Sequence, residues 1–217
     1  MWYNSRHQAS MGCVFSKSIG GEDWHSEPEN TPLPSKSEKP LENQEIEVVT
    51  CERVTDWPLV YDAARATQGK IPIHKMPSDD WKRKMMLSPH SPIRALQFFI
   101  QVRLPYFVQG HITRHKNGVE FFCGSQRNDR QNKYDRRAAR QDTLVIMGML
   151  INADAIRFIS RRRLCNKADP DTRKVWGLVV DAIRKIDPIV AEACHSDCWW
   201  NGGRCYEPMP CGAKVEI

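Results

Sequence analysis

The sequence predicts an α+β fold, a small sheet packed with several helices. The segment ALQFFIQVRL alternates Leu96, Phe98, Ile100 and Val102 against Gln97, Gln101 and Arg103, which is the period of a strand. Other segments place apolar residues at helical spacing behind good capping residues. The two kinds are mixed along the chain, with few strands and more helices, and no internal repeat is found.

Taken in order, residues 1–45 are rich in Ser, Glu, Pro and Lys and read as a disordered N-terminal tail. Within it, MGCVFSKS at Met11 resembles an acylation signal, but acylation needs Gly directly after an initiator Met, so the match counts only if translation starts there. Residues 46–217 are expected to form one domain. IEVVT at Ile46 to Thr50 is its first strand, and LVYDAARA, after Asp56 and Pro58, is a short helix ending near Gly69. SDDWKRKMML is a second helix, started by Ser78 and stopped by Pro89 and Pro92. The alternating strand ends at Pro105, which opens a helix over YFVQGHITRH. RHKNGVEFFCGSQR is read as a polar loop, and Tyr134 to about Arg163 as helical with a break near Gly148 to Asn152. Asp169 and Pro170 start a last long helix whose Val175, Trp176, Val179, Ala182, Ile183 and Ile186 form a core stripe.

Composition narrows the partners. The chain has 41% hydrophobic and 27% charged residues, as soluble globular proteins do, with no apolar run of membrane-spanning length and no secretory leader. Eight Cys without such a leader fit a reducing cytoplasm. Residues 1–45 carry a net charge of −3 and the remainder +9, against +6 for the whole. A basic domain suits a polyanion, either nucleic acid or phosphorylated small molecules.

Three constellations could carry chemistry. In the first, Arg114, His115 and Lys116 cluster ahead of Gly124, Ser125, Gln126 and Arg127, which fits a phosphate loop or a solvated basic loop. The second is Arg161 to Arg163. Three consecutive Arg cannot share one helix face, so at least one points inward and then needs an anionic partner; the alternative is a helix end complementing its dipole. The third is Cys194, His195, Cys198, Cys205 and Cys211, whose gaps are wider than the C-x2-C of common zinc sites, so no metal is expected. Cys123 lies in the basic loop without a recognisable base.

In this order the segments resemble the flavin-dependent thymidylate synthases, built around Arg-His-Arg, seven residues, Ser, any residue, Arg. Here Arg114-His115-Lys116 is followed by eight residues and Ser125-Gln126-Arg127. QVRLPYFVQGHITRH looks like the family's strand and helix before the motif. YDAARAT is similar to its early helix, and Asn152 with Arg163 eleven residues later matches a helix that contacts the nucleotide. The Cys-containing tail also looks like that of many members.

The resemblance implies binding of FAD by Thr67, Arg114, His115, Lys116 and Asn152. It implies pyrimidine nucleotide binding by His111, Arg114, Ser125, Gln126, Arg127 and Arg163, with Arg163 as the catalytic group. It also implies methylene-tetrahydrofolate and NADPH as co-substrates, dUMP to dTMP as the reaction, and a homotetramer with shared sites. Sister chemistries are hydroxymethylation and action on UMP or dCMP. A non-catalytic nucleotide- or nucleic-acid-binding relative and a zinc-stabilised basic module are the other classes.

Several positions depart from the family pattern. Lys116 stands for Arg, Arg94 and Ala95 for a Glu-His pair, and Asn128 for Tyr. Only 24 residues separate Arg127 from Asn152, so Arg136, Arg137 or Arg140 would substitute for a phosphate-binding Arg of the missing stretch.

Overall fold

A computed structural model of the chain describes residues 45–88, 90–124 and 140–214. The expected tail, the phosphate-loop residues Ser125, Gln126 and Arg127, and Asn128, Arg136 and Arg137 lie outside them.

The centre is a four-stranded antiparallel sheet, β1 (Glu47–Arg53), β2 (Gln97–Pro105), β3 (Val119–Cys123) and β4 (Leu144–Asn152), in the order β1-β2-β4-β3. The alternation read for β2 is observed, since Phe98, Ile100, Val102 and Leu104 are fully buried on one face. The helices are α1 (Trp57–Ala66), α2 (Asp79–Leu87), α3 (Tyr106–Ile112), α4 (Ala153–Arg163), α5 (Pro170–Ile186), α6 (Pro188–Glu192) and α7 (Asp197–Trp200). The α5 helix packs across β1 and β2, burying Val175, Trp176, Val179 and Ile183, while Ala182 and Ile186 are half-buried and Val180 joins the core.

The helix starts follow their caps. Asp56 accepts from Trp57 N–H, Ser78 from Trp81 N–H, and Asp169 from Thr172 N–H, each supplying one acceptor to the first-turn donors a helix leaves open. Buried polar atoms join the layers. The Trp176 indole donates to Ser160 Oγ at 2.9 Å, tying α5 to α4, and the Trp57 indole donates to buried Asp187 at 2.7 Å.

Two expectations fail in one region. Residues 144–152, read as helix with a break near Gly148 to Asn152, form the inner strand β4. LVIMGMLIN is a continuous apolar run, which suits a buried strand as well as a buried helix, so periodicity could not separate them. What decides it is pairing on both edges, with β2 from Gln97↔Asn152 to Pro105↔Leu144 and with β3 from Val119↔Ile151 to Cys123↔Met147. The same pairing turns residues 119–123, read as loop, into β3. The missing side chain of Gly148 leaves room for the Phe122 and Phe99 rings, because a Cβ there would stand 3.3 Å from Phe122 Cβ.

Gly118 makes the turn into β3 with φ +75, and a Cβ on it would approach Asn152 Nδ2 to 2.5 Å. Asn152 in turn caps α4, accepting from Ala155 N–H at 2.9 Å. Gly118→Ala therefore strains the backbone and either clashes with the cap or expels it. We expect a loss of about 2–4 kcal/mol in urea unfolding, from a left-handed non-Gly residue and a weakened cap. An unchanged midpoint would contradict the packing described.

Candidate active site

The end of α4 carries Arg161, Arg162 and Arg163, which diverge by about 100° per residue around the axis. Arg161 Nε donates to Asp197 Oδ1 at 2.5 Å, and Arg162 lies 3.2 Å from Asp197 and 3.6 Å from Glu207. Arg163 turns the other way. Its Nε donates to His115 Nε2 at 3.0 Å and its Nη2 to the His111 carbonyl. Among the described residues no carboxylate comes within ion-pair distance of it. Burial and then the nearby Arg114 lower its pKa. A partly buried cation thus has neutral partners only, an arrangement that an anionic ligand would stabilise.

The histidines are set by these contacts. His115 accepts at Nε2, so its neutral ring holds the proton on Nδ1. Burial, followed by Arg163 and Arg162, lowers its pKa to about 4. His111 Nδ1 lies 2.8 Å from Thr172 Oγ1, and that hydroxyl donates to Asp169 at 3.1 Å. With the hydroxyl proton directed at Asp169, His111 must donate from Nδ1, which leaves its Nε2 as an acceptor. The Thr172 backbone N–H, before other causes, holds the Asp169 carboxyl below its usual range. Phe107 meets His111 edge-on, and the half-exposed Phe158 meets His115 in the same way.

The structure thus brings together His111, His115 and Arg163, with Arg114 close enough to act on Arg163 electrostatically. Arg114 and Lys116 are exposed beside them. Asn152 is occupied as the α4 cap beneath Gly118. Two expected residues stand elsewhere. Thr67 closes α1, its hydroxyl donating to Ala64 O, and Arg140 pairs with its neighbour Asp142 at 2.7 Å in solvent. A cleft of about 600 Å³ opens beside this group, and of the expected site residues within the described part only His115 and Arg163 line it, with Arg162 and Lys167.

Sequence reading missed Thr172, the orienting role of Asp169, and Phe158. Asp169 with Pro170 was visible as a helix start, but the reach of Thr172 to His111, 61 positions away, was not.

The fold defined by this sheet and its helices is the α+β fold of flavin-dependent thymidylate synthase-like structures. A solved ThyX of Helicobacter pylori, a flavin-dependent thymidylate synthase complexed with FAD and dUMP, matches 70% of this chain and 100% of its own, with TM-score 0.56 and 12% identity. The UMP/dUMP methylase PolB of Streptomyces cacaoi, solved with 5-Br dUMP, matches 69% of this chain and 93% of its own, with TM-score 0.53 and 17% identity. No protein-family model and no curated protein matches the chain.

The lowered pKa of His115 has a testable sign. The folded protein binds this proton less tightly than the unfolded chain, whose imidazole titrates at about 6.5. Its contribution to stability is therefore complete above pH 6.5 and is lost as pH falls towards 4. Ring resonances of His115 should titrate near pH 4, and Arg163→Met should raise that midpoint towards 6.5. A parent midpoint near 6.5 would remove the assigned contact.

Proposed function

We propose that this chain is a flavin-dependent enzyme that transfers a one-carbon unit to carbon 5 of a pyrimidine nucleotide, with dUMP to dTMP as the reaction. Methylene-tetrahydrofolate and NADPH are the proposed co-substrates, in a cytoplasmic setting. The observation that carries the reading is Arg163, a partly buried guanidinium held by the motif His115 and the His111 carbonyl, with no carboxylate at ion-pair distance among the described residues. Its remaining donors suit the edge of a pyrimidine, where negative charge grows as carbon 5 reacts. The ThyX structure with FAD and dUMP, and the methylase with 5-Br dUMP, support the substrate class by similarity of fold.

The residues present fit a flavin. Exposed Arg114 and Lys116 supply cations for its phosphates, the neutral His115 offers Nδ1–H, and the exposed Phe158 offers an aromatic edge. When bound, reduced FAD supplies the hydride. The chain's own residues do the rest. Ser125, Gln126 and Arg127 hold the nucleotide phosphate, His111 presents Nε2 as an acceptor, and Arg163 stabilises the charged base more strongly in the transition state than in the bound substrate. From the family resemblance, the proposal includes a homotetramer in which sites are shared between copies. UMP, dCMP and hydroxymethylation are alternatives within the same reading.

Turnover with saturating dUMP tests the central role. Arg163→Lys keeps charge but loses the planar fork, so turnover should fall about 10²-fold or more. Arg162→Lys keeps a cation beside Asp197 and Glu207 and should stay near the parent. Reversed results would refute the assignment of Arg163.

The phosphate loop has its own check. A charge-assisted contact contributes about 1.5–3 kcal/mol, so Arg127→Ala should weaken dUMP binding roughly 10- to 150-fold in calorimetry with flavin content retained. Equal affinity would place the phosphate elsewhere.

A further inference from the structure

A nucleoside monophosphate absorbs only part of the +9 carried by the chain after residue 45. The cleft at the end of α4 concentrates that charge, with Arg161, Arg162, Arg163, Lys167 and Arg204 set against Asp197 and Glu207. Both carboxylates are already engaged. Arg161 donates to Asp197 at 2.5 Å with its guanidinium 5.8 Å from the centre of the Trp200 ring, and Arg162 stands between Asp197 and Glu207. Those two arginines tie α4 to α7 and to the turn that follows it. Arg163, Lys167 and Arg204 remain, and among the described residues no carboxylate lies within ion-pair distance of any of them.

Three segments bring these cations to one cleft. Arg163 ends α4, and Lys167 follows in a turn that the Ala168 amide closes by donating to Cys165 O at 2.9 Å. Arg204 returns from beyond α7. Gly202 and Gly203, at φ +64 and +81, reverse the chain there, and the Gly203 amide donates to Cys198 O at 2.8 Å. The same reversal sets Tyr206 on the cleft wall with 70% of its surface exposed. Arg163 is half-buried at the inner end, while Lys167, Arg204 and Tyr206 stand exposed along the opening.

We propose that this cleft binds single-stranded nucleic acid, with Lys167 and Arg204 on phosphates of the strand, Tyr206 stacked on a base and Arg163 at a base edge. An open groove that combines cations with an exposed ring suits this ligand, because the cations follow the backbone and every base offers a face to stack on. A duplex keeps its base faces covered, and a mononucleotide brings one phosphate to three cations. Asp197 and Glu207 do not repel the strand, since Arg161 and Arg162 neutralise them. The inference does not rest on the flavin reading, in which Lys167, Arg204 and Tyr206 have no part.

The test follows the fluorescence anisotropy of labelled oligouridylate and oligothymidylate of about 12 nucleotides on the full chain. At least one of them should bind the parent. Lys167→Ala and Arg204→Ala should each weaken binding and flatten the slope of log affinity against log salt by about 0.7. Tyr206→Ala should weaken it roughly 5- to 150-fold, with Tyr206→Phe close to the parent. Lys70→Ala and Lys75→Ala, on the exposed link between α1 and α2, should leave affinity unchanged. Should the variants fail to fold, the parent decides through competition. The unlabelled single strand should displace the probe several-fold better than a duplex of the same length or inorganic tripolyphosphate at equal phosphate concentration. Equal displacement by either competitor would overturn the proposal, as would failure of both strands to bind the parent. Parent-like binding by Tyr206→Ala, or a loss in Lys70→Ala as large as that in Lys167→Ala, would overturn it too.

Discussion

The site depends on one constraint, a guanidinium placed where the described residues offer it no anion. Arg163 ends α4 facing inward, and its bonds to the His111 carbonyl and His115 ring join the end of α4 to the segment leaving α3. Those neutral partners orient the fork without cancelling its charge. Burial, followed by this same cation and Arg162, keeps His115 neutral. Its neighbours show what compensation looks like, since Arg161 and Arg162 share Asp197.

The sheet makes this convergence possible. β2 and β4 are antiparallel neighbours, so the exit of β2 into α3 lies at the opposite sheet end from the exit of β4 into α4. The chain then crosses that distance along α4, and Arg163 at its far end meets α3. Asn152 fixes the start of this path, capping α4 while packed over Gly118. The α5 helix closes the arrangement through Thr172, which holds His111 and is itself oriented by Asp169. Three helices therefore set two histidines and one arginine, and the sheet supplies their common frame.

Much of this was legible wherever the signal was local. The alternation of β2, the caps at Asp56, Ser78 and Asp169, and the stripe of α5 are properties of adjacent residues, and the structure shows them. Strand β4 was not legible, because an apolar run surrounded by partners has no period to betray it, and β3 depends on β4. In the site, Arg163 could be separated from Arg161 and Arg162 by spacing within the family pattern. The Thr172 contact to His111 arises from packing between distant segments, which no local spacing encodes. Arg140 shows the opposite case, a plausible phosphate ligand by charge that its neighbour Asp142 engages instead.

In the proposed function Arg163 and His115 border a flavin and nucleotide site. This placement is tested most directly by titrating FAD into the pure protein while following the histidine ring resonances. Saturable binding at micromolar FAD is expected, with His115 shifted and His195, stacked on Trp199, unmoved. Failure to bind FAD, or binding that leaves His115 unchanged, would contradict it.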